Sequence, residues 1–162
     1  MAVAVAALAA CRGAGDPQAE GGGGEPAASG SLLEFTATTV DGEPFDGRSL
    51  AGKPVALWFW APWCPTCLGQ APGVREAAAR HEGKVAVVGV AGLAEAEAMP
   101  EFVRMADVGS IPHLSDEAGD VWKRFEVTAQ STFVLLDAEG SVRFKGRLSA
   151  DEVPDRVAAL LG

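Results

Sequence analysis

From Leu32 onward the chain alternates short apolar runs with amphipathic stretches, and glycine or proline punctuates most of the switches. Val55-Ala56-Leu57-Trp58-Phe59-Trp60 is apolar at every position, as a strand covered on both faces requires. Beyond it Leu68, Ala71, Val74 and Ala78 recur at helical spacing, which predicts a helix from near Cys64 to about Arg80. Val85 to Val90 predicts a second buried strand. Leu32 to Thr38 and Glu43 to Phe45 read as two strands joined at Asp41-Gly42, a hairpin signal. Helical stretches are expected around Pro100–Ala106 and Val121–Phe125. A second hairpin joins Phe133–Leu136 to Val142–Phe144 through Asp137-Ala138-Glu139-Gly140. The last helix carries Val153, Val157, Leu160 and Leu161 on one face, and Pro154 places its start no earlier than Asp151. Strands alternating with helices and closed by a hairpin predict an α/β sandwich with an N-terminal β-hairpin, a single domain over residues 31–162.

The first thirty residues are different. Residues 1–10, MAVAVAALAA, are small or apolar and run directly into Cys11, too short a stretch to span a bilayer. They resemble a signal peptide ending in a bacterial lipobox, Leu8-Ala9-Ala10-Cys11, which implies cleavage before Cys11 and a lipid on its thiol. The alternative is an Ala-rich terminus with an incidental cysteine. Residues 11–30 carry no large apolar side chain and cannot repay their ordering entropy, so they read as a tether reaching roughly 25 Å. A net charge of −9 with no basic cluster argues against nucleic-acid partners. Three cysteines are too few for a disulfide framework. A zinc site would need His81 and His113 to converge on the Cys64/Cys67 pair, and both histidines read as surface residues.

The chemistry concentrates in Cys64-Pro65-Thr66-Cys67, placed where a buried strand meets a helix N-terminus. Two cysteines three apart on a first helical turn can close a small disulfide ring. The first faces free backbone N–H groups and the positive end of the helix dipole, which stabilise a thiolate. Cys64 is therefore expected to be the exposed nucleophile and Cys67 the buried resolving sulfur. No cofactor or metal is expected.

Phe59-Trp60-Ala61-Pro62-Trp63-Cys64-Pro65-Thr66-Cys67, with Pro72 inside the helix, resembles the active-site segment of the thioredoxin superfamily. Residues 33–160 resemble its secreted DsbE/TlpA-like branch, through Asp41-Gly42, Leu50-Ala51-Gly52-Lys53-Pro54, Asp116 to Trp122 and Phe133 to Gly140. The resemblance implies a thioredoxin fold, a mixed sheet flanked by helices, and thiol–disulfide exchange with protein thiols or disulfides of the bacterial envelope. A membrane redox partner, anchorage through the lipid on Cys11 and a monomeric state are also expected. The resemblance also implies substrate contacts at Trp63, Pro65 and Thr66, and along the edge Gln130, Ser131 and Thr132.

Three positions depart from the family pattern. Trp58 stands where thioredoxins place a buried Asp, and Gln70 where the TlpA-like branch offers a Glu. Ser131 stands where the superfamily has a cis-proline; a cis bond before a non-proline residue costs about 2.5–4 kcal/mol, so Gln130–Ser131 is expected to be trans. A reductase needs Cys67 deprotonated to resolve a mixed disulfide, a step a buried carboxylate would assist. Without one, the chain leans towards an oxidase of exported proteins. The alternatives are an envelope reductase of the cytochrome c maturation type and, in another class, a non-catalytic soft-metal-binding module.

Overall fold

The computed structural model describes residues 30–162. The segments read as signal peptide and tether, with the lipidation residue Cys11, lie outside the described residues apart from Gly30. The elements run α1 (Gly30–Leu33), β1 (Thr36–Thr39), β2 (Pro44–Asp46), β3 (Val55–Trp60), α2 (Pro65–Arg80), β4 (Ala86–Ala91), α3 (Met99–Met105), β5 (His113–Ser115), α4 (Asp120–Arg124), β6 (Thr132–Leu136), β7 (Val142–Arg147) and α5 (Glu152–Ala158). The seven strands form one mixed sheet in the order β2-β1-β5-β4-β3-β6-β7. Strands β3, β4 and β5 are mutually parallel, while β6 and β1 join antiparallel on either side.

The unbroken apolar run of β3 has a direct structural consequence. All six residues are buried, and because successive side chains point to opposite faces they feed two cores. Ala56, Trp58 and Trp60 join Val74, Phe102, Phe133 and Val157 under α2, α3 and α5. Val55, Leu57 and Phe59 join Val90, Leu114, Trp122 and Phe125 under α1 and α4. Each of these last three β3 side chains contributes about 1.5–3 kcal/mol by leaving water. Helix α2 lies so close to the chain entering α5 that a Cβ on Gly73 would run into the Ala150 backbone.

Several expectations need correction. Leu32 and Leu33 close a helical turn, and the first strand starts only at Thr36. Leu33 is buried and Leu32 half-buried against the same core, an arrangement that adjacent residues of a strand, facing opposite ways, could not share. The buried face of α2 consists of Cys67, Gln70, Ala71, Gly73, Val74 and Ala77, with Leu68 and Ala78 at its margins. Leu161 lies beyond α5 in a 3-10 turn and is exposed. Strand β5 follows Pro112 and is three residues long, too short for any periodicity to show.

The histidines are not ordinary surface residues. His81 caps the C-terminus of α2 and is half-buried. His113 is buried on β5 opposite Gly89 of β4, where any Cβ would strike the His113 ring and the Trp60 indole. The Trp60 indole N–H can only donate, and it donates to His113 Nδ1 at 3.2 Å. The His113 proton therefore sits on Nε2 and is donated to the Val108 carbonyl at 3.0 Å. Burial pushes the His113 pKa down, which keeps the ring neutral.

Candidate active site: a disulfide at the mouth of α2

Strand β3 delivers the chain to the N-terminus of α2 through Ala61-Pro62-Trp63. The turn is closed by the Cys64 N–H donating to the Ala61 carbonyl at 3.1 Å. Cys64 is the N-cap of α2, its backbone extended (φ −96°, ψ 105°), and its sulfur accepts the Cys67 N–H at 3.1 Å. Pro65 at the start of the helix has no N–H to leave unsatisfied. The first turn of α2 carries no acidic residue, so no carboxylate of that turn offsets the positive end of the helix dipole at Cys64.

Cys64 and Cys67 form a disulfide, with their Cα atoms 5.3 Å apart. Contrary to an exposed Cys64, both cysteines are buried: Cys64 is 4% exposed and Cys67 fully covered. Cys64 still remains the more accessible of the two. It is bordered by Trp63, which is 56% exposed, and by Pro65 and Thr66, both also exposed. The Trp63 indole donates to the Leu93 carbonyl at 3.0 Å, in the loop after β4. Leu93 is 53% exposed and held at φ 58°, a conformation uncommon for a side-chain-bearing residue. A fixed apolar rim thus stands beside the disulfide; Leu93 carries no chemical group that would single it out from sequence.

Opposite the helix, β6 pairs antiparallel with β3, and its Thr132 lies across from Phe59. That register brings Ser131 to the disulfide. Its hydroxyl is 3.2 Å from Cys64 Sγ and 3.1 Å from Cys67 Sγ, the residue is buried, and its backbone is at φ 65°. Gln130 and Thr132 on either side are half-buried.

Trp58 and Gln70, the two residues in place of carboxylates, are bound to each other. The Trp58 indole donates to Gln70 Oε1 at 3.0 Å, and Gln70 Nε2 donates to the Ser131 carbonyl at 3.1 Å and the Leu148 carbonyl at 2.6 Å. The Gln70 amide therefore uses both N–H groups and its oxygen in a buried setting. One neutral hydrogen-bonded pair fills both positions, and it also holds the carbonyl of the serine that faces the sulfurs. Trp58 and Gln70 are the available signal: each stands where a family pattern has a carboxylate, and an indole and an amide can bond to one another. Among the described residues, no carboxylate hydrogen-bonds to either sulfur, and no cluster of three or more His, Cys, Asp or Glu could hold a metal ion.

This arrangement supports reversible exchange of the Cys64–Cys67 bond. Of the two sulfurs, Cys64 Sγ is the more accessible to an incoming thiolate. Comparisons with known proteins agree. The Redoxin family model matches residues 24–160. The chain is 43% identical over 137 residues to the soluble secreted antigen MPT53 of Mycobacterium tuberculosis, covering 82% of this chain and 78% of that protein. It is 26% identical over 124 residues to the thiol-disulfide oxidoreductase ResA of Bacillus cereus, covering 75% and 71% respectively. The solved structure of MTB dsbF superposes with a TM-score of 0.75 at 50% identity, covering 80% of this chain and 97% of that one. A secreted M. tuberculosis disulfide oxidoreductase homologous to E. coli DsbE gives a TM-score of 0.72 at 42% identity, covering 79% and 97%. A buried disulfide on a helix N-terminus and these likenesses make this chain a member of the Redoxin family, a thioredoxin-fold thiol–disulfide oxidoreductase of the DsbE type.

Proposed function

We propose that the protein acts outside the cytoplasm as an oxidase, passing the Cys64–Cys67 disulfide to cysteines of exported proteins. The observation that carries this reading is the neutral Trp58–Gln70 pair beneath the disulfide. In the oxidising direction a substrate thiolate attacks Cys64, Cys67 leaves as a thiolate, and a second substrate thiolate then expels Cys64. Neither step needs an internal base. In the reducing direction Cys67 must first lose a proton, and the positions where relatives of this fold keep a carboxylate offer only an indole and an amide. The extracytoplasmic setting is supported by the secreted relatives, and membrane attachment by the Leu8-Ala9-Ala10-Cys11 motif. Trp63, Pro65 and Thr66 form the accessible rim against which substrate would dock, beside Gln130 and Thr132. A membrane redox partner would restore the disulfide after each turnover.

Equilibration with glutathione buffers tests the direction. Potentials across the superfamily run from about −270 mV to about −120 mV, and the Cys64–Cys67 pair is expected in the oxidising half of that range. In the same assays Cys64→Ser should abolish exchange and Cys67→Ser should accumulate mixed disulfides through Cys64. A potential at the thioredoxin end, with rapid reduction of a disulfide substrate by the dithiol form, would instead establish a reductase.

A further inference from the structure

Ser131 occupies an unusual place. Its hydroxyl has the two sulfurs as partners, at 3.2 and 3.1 Å, and its side chain is closed off from water. Disulfide sulfurs carry no proton, so in the oxidised protein the hydroxyl is the donor and can serve only one sulfur at a time. The backbone that carries it is held as well. The Ser131 carbonyl is held by Gln70, and Gln70 is held in turn by Trp58 and Leu148. The backbone is kept at φ 65°, a conformation a serine adopts only when its surroundings impose it.

We infer that Ser131 is a catalytic residue, its hydroxyl donating a hydrogen bond to whichever active-site sulfur leaves as a thiolate. When a substrate thiolate attacks Cys64, a bond forms between the substrate sulfur and Cys64 Sγ. The Cys64–Cys67 bond breaks, and the electron pair passes to Cys67 Sγ, which the Ser131 O–H reaches at 3.1 Å. When a second substrate thiolate attacks the substrate sulfur of the mixed disulfide, the pair passes to Cys64 Sγ. That thiolate is met by two donors, the Ser131 O–H at 3.2 Å and the Cys67 N–H at 3.1 Å. The substrate's two thiolates become a disulfide, the enzyme's disulfide becomes two thiolates, and the serine keeps its own proton throughout. Run backwards, the same donor stabilises the same sulfurs. A proline at this position would have no such group. Here the hydroxyl supplies, as a hydrogen-bond donor, part of the charge stabilisation that the helix N-terminus alone would otherwise provide.

The inference rests on Cys64 and Cys67 being the exchanging pair, and it is independent of direction. The test is a pH titration of the reduced full-length protein, following thiolate absorbance in the ultraviolet, for wild type, Ser131→Ala and Ser131→Gly. Hydrogen bonds to charged groups are among the stronger ones, so loss of the hydroxyl should weaken the Cys64 thiolate equilibrium about tenfold or more, moving its titration up by about one pH unit or more. Attack of reduced glutathione on the oxidised variants should slow by a similar factor. The two variants separate chemistry from backbone strain: glycine accepts φ 65° readily and alanine does not, yet both lack the hydroxyl. Equal upward shifts in both support the inference. A thiolate that titrates as in wild type in both variants overturns it, as does a shift in the alanine variant alone. An enzyme that proves to be a reductase with shifted Ser131 variants would refute the oxidase reading and leave this one standing.

Discussion

Replacing Gln70 by Glu tests how the buried amide is held. The two side chains are nearly isosteric, so the change is chemical: both Nε2 protons, donated to the Ser131 carbonyl at 3.1 Å and the Leu148 carbonyl at 2.6 Å, are lost. An ionised Glu would set its charge against two carbonyl oxygens in a site closed to water, with one indole N–H as its donor. Desolvation and those carbonyl dipoles hold the carboxyl neutral, and its pKa in the folded protein rises above the ordinary glutamate range. The protonated acid can still donate to one carbonyl, so one hydrogen bond is lost, at about 1 kcal/mol. The pH dependence is larger. From about pH 4.5 upward a glutamate in the unfolded chain gives up its proton while the folded one keeps it. Stability is then complete below that pH and falls by about 1.4 kcal/mol for each pH unit above it, until the folded group ionises too. By pH 7 the variant should be less stable than wild type by roughly 4–5 kcal/mol, against about 1 kcal/mol at pH 4.5. Urea unfolding of both proteins in oxidised form at pH 4.5, 6 and 7 reads this directly. A Gln70→Glu deficit that stays constant across these pH values would refute the claim that the amide is clamped between two carbonyls.

Two more outcomes are expected. His113 is held neutral by burial while its unfolded counterpart gains a proton below about pH 6.5, so stability should fall as pH drops through that region; His113→Gln should flatten this part of the pH profile of Tm, and an unchanged profile would contradict the burial argument. If Cys11 carries lipid, the protein expressed in its native envelope should fractionate with membranes and Cys11→Ala should release it or block its maturation; a soluble wild type that retains Met1 would remove the lipoprotein reading.

The elements that came straight from the sequence are those whose residues carry their own periodicity or chemistry. Val55 to Trp60 is apolar at every position because both faces of β3 are covered. Asp41-Gly42 marks a turn because Gly42 takes φ 87° at no steric cost. Cys64 and Cys67 are legible because their spacing on a helix N-terminus is itself the chemistry, and Trp63 because a tryptophan on that loop has little core to enter. Tertiary structure decided the rest. His113 looks like a surface histidine beside a proline, and it is buried only because Gly89, remote in sequence but opposite it on the neighbouring strand β4, leaves room for its ring next to Trp60. Trp58 and Gln70 read along the chain as two lost carboxylates, yet they are twelve residues apart and become one hydrogen-bonded unit only when α2 packs against β3. Ser131 lies more than sixty residues from either cysteine, and it meets their sulfurs only through the antiparallel register of β6 on β3. Local pattern records what a residue asks of its neighbours in sequence. Which distant groups answer, and whether water is shut out when they do, depends on packing that no single segment encodes.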